Sequence, residues 1–157
     1  MATCITGGRT RSCSTAISGG CNFLYLVDFE DVDSVTIGAG GDATGIVMNP
    51  VTAVFFKFQF APNTAVFSES VTNENCATQV TQTFTMNWNG RKQTDVNLIK
   101  DLADCCCGMV AIHGENTGTS WIWGYSETEE AFLSGVEGTS GTAKSDANQE
   151  IITLTAL

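Results

Sequence analysis

The sequence predicts a mainly β protein, an antiparallel β-sandwich or barrel carrying one lateral helix and a long projecting hairpin. Three observations predict it. Only 15 % of the 157 residues are charged while 43 % are hydrophobic, which leaves much of the surface to Thr, Ser, Asn, Gln and Gly. Apolar residues recur with a period of two in several short segments separated by glycine-rich or polar turns. A helical period occurs once, over Asp95 to Asp104. The length suits one domain with its own core, and no internal repeat or linker divides it.

Taken in order, residues 1–21 hold few apolar side chains and many Thr, Ser, Gly and Cys, so they are expected to form an arm that leans on something else, with a single domain over 22–157. Phe23 to Phe29 is aromatic and β-branched and reads as the first core strand, ended by the solvated charges of Glu30, Asp31 and Asp33. Ser34 to Ile37 is a short strand closed by the Gly38 to Asp42 turn. Val51 to Phe60 alternates, predicting a half-buried strand with Val54, Phe56, Phe58 and Phe60 on one face. Thr78 to Trp88 gives the clearest period, with Val80, Gln82, Phe84, Met86 and Trp88 on one face. The polar stretch Ser68 to Asn75 between these strands reads as the tip of a hairpin that meets a partner.

Thr94 is placed to cap a helix over Asp95 to Asp104, with Leu98, Ile99 and Leu102 as its apolar stripe. Met109 to Ile112 and Ser120 to Tyr125 form a hairpin around Gly114 to Gly118, with Trp121, Trp123 and Tyr125 sharing a face. That aromatic stripe is either core or, if exposed, a platform on which sugar rings stack; the need of a sheet to bury one face favours core. Ala131 to Val136 is a further strand, Glu137 to Thr142 a loop, and Glu150 to Leu157 the closing strand.

No catalytic constellation is visible. The one histidine, His113, stands beside a turn with no motif around it and is read as structural. Seven cysteines, Cys4, Cys13, Cys21, Cys76, Cys105, Cys106 and Cys107, lack the paired spacing of a zinc site and are read as reduced thiols, with a disulfide to a neighbouring subunit as the alternative. The carboxylates Asp28, Glu30, Asp31 and Asp33 lack the glycine and distal glutamate of a calcium loop. The glycines of 38–42 form neither a phosphate-binding nor a dinucleotide-binding loop. The expectation is therefore no enzyme, no metal and no cofactor.

Seventeen acidic residues against seven basic give a net charge of −10, so the surface repels phosphate and a conventional nucleic-acid-binding domain is excluded. No signal peptide is visible in 1–20, the mature chain is expected to start at or beside Met1, and the longest apolar run, 51–61, is too short to span a membrane.

The order of features resembles a known family. Cys4-x3-Gly8-Arg9-x3-Cys13 leads through Gly19-Gly20 to the strand at 23–29. The strand ending at Trp88, the helix, Trp123-Gly124-Tyr125 and Ser134-Gly135 follow, and then Ser140-Gly141-Thr142-Ala143 through Asn148. This succession resembles tail tube, or major tail, proteins of phages of Bacteroidetes-like hosts.

The resemblance implies a virion structural protein, assembled in the bacterial cytoplasm into rings, sixfold, that stack into a tail tube. Its partners would be further copies of itself, the tape-measure protein, the tail terminator and baseplate proteins, with DNA passing through without specific binding. An acidic wall keeps a polyanion mobile where a basic one would hold it. The expected lumen-facing carboxylates are Glu127, Glu129, Glu130 and Glu137, or alternatively Asp28, Glu30, Asp31 and Asp33. The expected contacts between rings are Glu69, Val71, Asn73 and Glu74. Other virion components, a head decoration protein or a tail terminator, and a carbohydrate-binding module are the alternatives.

Overall fold

A computed structural model describes residues 19–157, so the part of the predicted arm at 1–18, with Cys4 and Cys13, lies outside the described residues. The chain folds into two open four-stranded antiparallel sheets packed face to face, with one helix beside them; this is a sandwich and not a closed barrel. The elements are β1 (Cys21–Asp28), β2 (Val32–Ile37), β3 (Ala43–Met48), β4 (Phe56–Phe58), β5 (Val66–Glu74), β6 (Ala77–Asn89), α1 (Gln93–Asp104), β7 (Met109–Glu115), β8 (Ser120–Trp123), β9 (Phe132–Thr139) and β10 (Gln149–Ala156). The first sheet has the order β4-β1-β7-β8 and the second β5-β6-β10-β9, while β2 and β3 pair only with each other.

Alternation explains the core. From the second sheet, Phe84, Met86 and Trp88 of β6 and Ile152 and Leu154 of β10 point inward in register, Phe84 opposite Leu154 and Met86 opposite Ile152. From the first sheet, Leu24 and Leu26 meet them together with Met109, Ala111 and Trp123. Cys21 is buried in this core, so the domain begins before residue 22 and the predicted arm ends earlier than 21.

Three expectations are corrected and one strand, β3, is added. The predicted strand over 51–60 is reduced to the three residues of β4, because a turn at Pro50 to Ala53 closes with an Ala53 N–H to Pro50 carbonyl bond of 2.8 Å. The chain then leaves the first sheet, and the Ala61 N–H bonds the Asn87 carbonyl of the second. Val54 and Phe56 are exposed.

The helix is not capped by Thr94. It starts at Gln93 after an extended Lys92 that makes no side-chain cap bond, and the Thr94 hydroxyl donates instead to Asp95 Oδ1 at 3.3 Å. The strand β9 runs on through Thr139, so Glu137 lies in a strand paired with Ile151, not in a loop. Strand β3 was not expected. It makes the β2–β3 ribbon, which projects like the β5–β6 hairpin but joins neither sheet.

Other expected elements are present. The β5–β6 hairpin is long, with nine residue pairs in unbroken register from Val66 opposite Thr85 to Glu74 opposite Ala77. Its turn is formed by Asn75 and Cys76, both with positive φ. The β7–β8 hairpin and β10 stand where periodicity placed them. In α1, Leu102 is buried and Ile99 packs against the core, while Leu98 is partly exposed.

Candidate functional site

The second sheet presents two unlike surfaces. Its inner face is core. Its outer face carries Ser68 and Ser70 of β5, Thr81, Thr83 and Thr85 of β6, and Thr153 and Thr155 of β10, with Thr153 opposite Thr85 and Thr155 opposite Thr83. None of these is buried. Ser134 joins the array through hydrogen bonds to the Thr153 carbonyl (3.1 Å) and to Thr155 Oγ1 (2.8 Å). Register places only two charged residues on this face, Glu74 and Glu137, and no Lys or Arg. β-Branched hydroxyl residues suit a half-covered sheet surface, which is why so polar a face still forms strands.

Both outer strands of this sheet are free. Among the described residues nothing pairs with the outer edge of β5 or of β9. Neither strand contains Pro or Lys, the residues that most often blunt a sheet edge, but α1 packs close beside β9, and β9 has an irregularity beside Leu133, so β5 is the barer of the two edges.

The expected contact residues lie on the hairpin. Glu69, Val71 and Asn73 share one face, opposite Gln82, Val80 and Thr78, and Glu74 lies on the other. Glu69 Oε2 accepts from Gln82 Nε2 at 3.1 Å and Asn73 Nδ2 donates to Thr78 Oγ1 at 3.3 Å, which leaves Val71, 61 % exposed, as the uncommitted side chain.

Of the expected lumen carboxylates, Glu127, Glu129 and Glu130 share the loop between β8 and β9, and Glu137 stands apart on β9. Asp28 ends β1, Glu30 and Asp31 lie in a single 3-10 turn, and Asp33 is in β2.

The loop after β9 needs no partner to be ordered. Asp146 Oδ2 accepts from the backbone N–H groups of Thr142 and Ala143, each at 2.7 Å, and from the Thr142 hydroxyl at 2.9 Å. Those bonds hold its carboxyl below the ordinary value, the Ala143 N–H contributing most. The β5–β6 hairpin is likewise held by its own unbroken ladder.

The aromatic stripe of β8 divides. Trp123 is buried among Phe67, Phe84 and His113, with ring centroids 5.6 Å from Phe67 and 6.5 Å from Phe84, so it offers no face to a sugar. Gly124 follows with φ +72°, and a Cβ there would sit 2.7 Å from the Met109 carbonyl oxygen and 2.9 Å from the Ala131 nitrogen. That turn removes Tyr125 from the strand face, and Tyr125 and Trp121 are exposed.

His113 is fully buried, its ring stacked 4.2 Å from Phe67, and neither ring nitrogen has a hydrogen-bond partner among the described residues. Burial lowers its pKa to about 4, against the smaller opposing pull of Glu115. It is a neutral core side chain. Two thiols are held protonated. Burial, then the hydrogen bond to Asp28 at 3.5 Å, pushes Cys105 up to about 11, and a hydrogen bond with Glu30 raises exposed Cys107. Protonated thiols are poor nucleophiles.

One large concavity remains, a cleft of about 900 Å³ between β4 and α1. Leu26, Phe56, Phe58, Trp88, Leu102 and Met109 supply its apolar lining, and Asp28, Lys57, Lys92, Asp95 and Asp101 stand around it. Phe58 and Trp88 stack at 6.3 Å, and the buried Trp88 indole N–H has no hydrogen-bond partner. Sequence reasoning missed this cleft, because its walls come from segments far apart in the chain. No protein family, curated protein or solved structure matches the chain.

Proposed function

We propose that this protein is a structural subunit that joins copies of itself into rings, and that the rings stack as a phage tail tube in the virion, a conduit for tape-measure protein and DNA. The observation that carries the reading is that one sheet ends in two strands, β5 and β9, whose outer edges no described strand pairs. The order β5-β6-β10-β9 is antiparallel throughout, so β9 of one copy set beside β5 of the next continues the same alternation. Such a head-to-tail contact closes into a ring when the rotation permits, and closure removes the free edges.

In such a ring the outer face of the second sheet is the surface left for a bore, because the first sheet occupies the other side. A wall of hydroxyls with Glu74 and Glu137, and without Lys or Arg, gives a polyanion nothing to bind. This favours Glu137 over Glu127, Glu129 and Glu130 as a lining carboxylate. Val71, exposed on the projecting hairpin, is the first candidate for contact between rings. The Ser, Thr and carboxylate chemistry described above includes no assembled nucleophile and base, which supports a role without catalysis.

Negative-stain microscopy of the purified protein at high concentration tests the reading. Rings or tubes with a central hole are the expected result, and Glu69→Pro, which removes an outward-facing N–H from the β5 edge and spares the β5–β6 ladder, should reduce them while leaving the circular dichroism spectrum unchanged. A compact monomer at every concentration overturns the proposal.

A further inference from the structure

We infer that the cleft between β4 and α1 is a receptor for an extended polypeptide segment of another chain, one with apolar side chains at alternate positions and a basic residue at its end. The argument starts from which residues border the space. Successive side chains of a strand point to opposite faces, so a cleft floored by side chains alone is lined by every second residue. Here Phe56 to Ala61 line it without a gap, so the backbone edge of β4 itself borders the cavity. Among the described residues no strand pairs with that edge. A free edge beside an apolar trough is the arrangement in which an added strand gains main-chain bonds along the edge and sockets for its alternate side chains.

Two further observations point the same way. Trp88 is 8 % exposed and lines the cleft, so the part of its ring that shows is an apolar wall for an added side chain. Phe56 is 65 % exposed while its neighbour Phe58 is buried, so a large aromatic ring stands uncovered at the wall. The charged groups around the cleft are Asp28, Asp95 and Asp101 against Lys57 and Lys92, an acidic balance that selects a basic or neutral segment over an acidic one. This inference is independent of the tube reading, for the cleft lies at β4, α1 and the end of β6, away from the outer edges of β5 and β9, and a monomeric protein would carry it equally.

The test uses the full chain and two fluorescein-labelled short peptides of alternating Val and Thr, one ending in Arg and its twin ending in Glu, read by fluorescence anisotropy. The Arg peptide should bind and the Glu twin should bind at least about tenfold more weakly at low salt. Phe56→Asp should abolish binding with the thermal midpoint preserved. Binding that survives Phe56→Asp, or no binding of either peptide to the folded wild type, overturns the inference. So does a self-association, seen by sedimentation, that Phe56→Asp dissolves while both peptides stay silent, since the occupant would then be a second copy.

Discussion

The two ends of the sandwich are finished differently. Around Trp123, the rings of Phe67, Phe84 and His113 approach one another at centroid distances from 4.2 to 6.5 Å and leave no space among them. Around Trp88, one stacked pair, Phe58 with Trp88, faces a cleft of about 900 Å³. Both ends contain a buried indole N–H without a partner. At both ends that group is sealed from solvent and costs stability, but only the Trp88 ring also borders a cleft. The same residue type is thus structural at one end and available at the other, and the difference lies in what the neighbouring strand does. Strand β8 ends in the tight Gly124 turn, whereas β4 stops after three residues and leaves its edge bare.

This contrast is broken most severely at the closed end. Trp123→Ala should cost about 3–5 kcal/mol, the usual range for removing a large buried aromatic, as measured by urea denaturation. A loss under about 1 kcal/mol would mean that this end is not close-packed.

The next effect is one of pH. His113 is held at about 4 in the fold against an ordinary 6.5, so the unfolded chain takes up its proton first. Stability from its neutrality is complete above pH 6.5 and is lost as pH falls from 6.5 through 4, a total of about 3 kcal/mol for a shift of that size. His113→Phe should flatten that part of the pH profile, and an unchanged acid limb would show that the buried ring is not the group responsible.

The smallest effect sharpens the comparison. Phe56→Ala should change stability by no more than about 0.5 kcal/mol, because its ring is already in solvent, and a thermal melt reads this directly. A larger loss would place Phe56 in the core and close the open end.

Much of this architecture was legible in the sequence. The strict period of Thr78 to Trp88 gave β6 and its inward residues, because a strand at the centre of a sheet must bury one face along its length. The projecting hairpin, the single helix and the β7–β8 pair were readable for the same reason. Strand β3 was not, since Ala43 to Met48 buries no residue and contains Gly45, so it has no face to give a period. The alternation over 51–60 misled in the opposite sense. Phe56, Phe58 and Phe60 repeat every second residue because they line a cleft beside a three-residue strand, not because a long strand runs through them. The hydroxyl face was present as Thr81, Thr83 and Thr85, but its extension across β10 depends on register between residues about seventy positions apart, which no local pattern carries.

The hydroxyl face has a consequence for how any contact through it responds to electrolyte. With Glu74 and Glu137 as its only charges, it has almost no Coulombic attraction or repulsion to screen. An interface made there holds its strength from dilute buffer to concentrated sodium chloride, whereas one made through the acidic loops tightens as the ions shield mutual repulsion. A salt titration of self-association therefore separates the two surfaces without a single mutation.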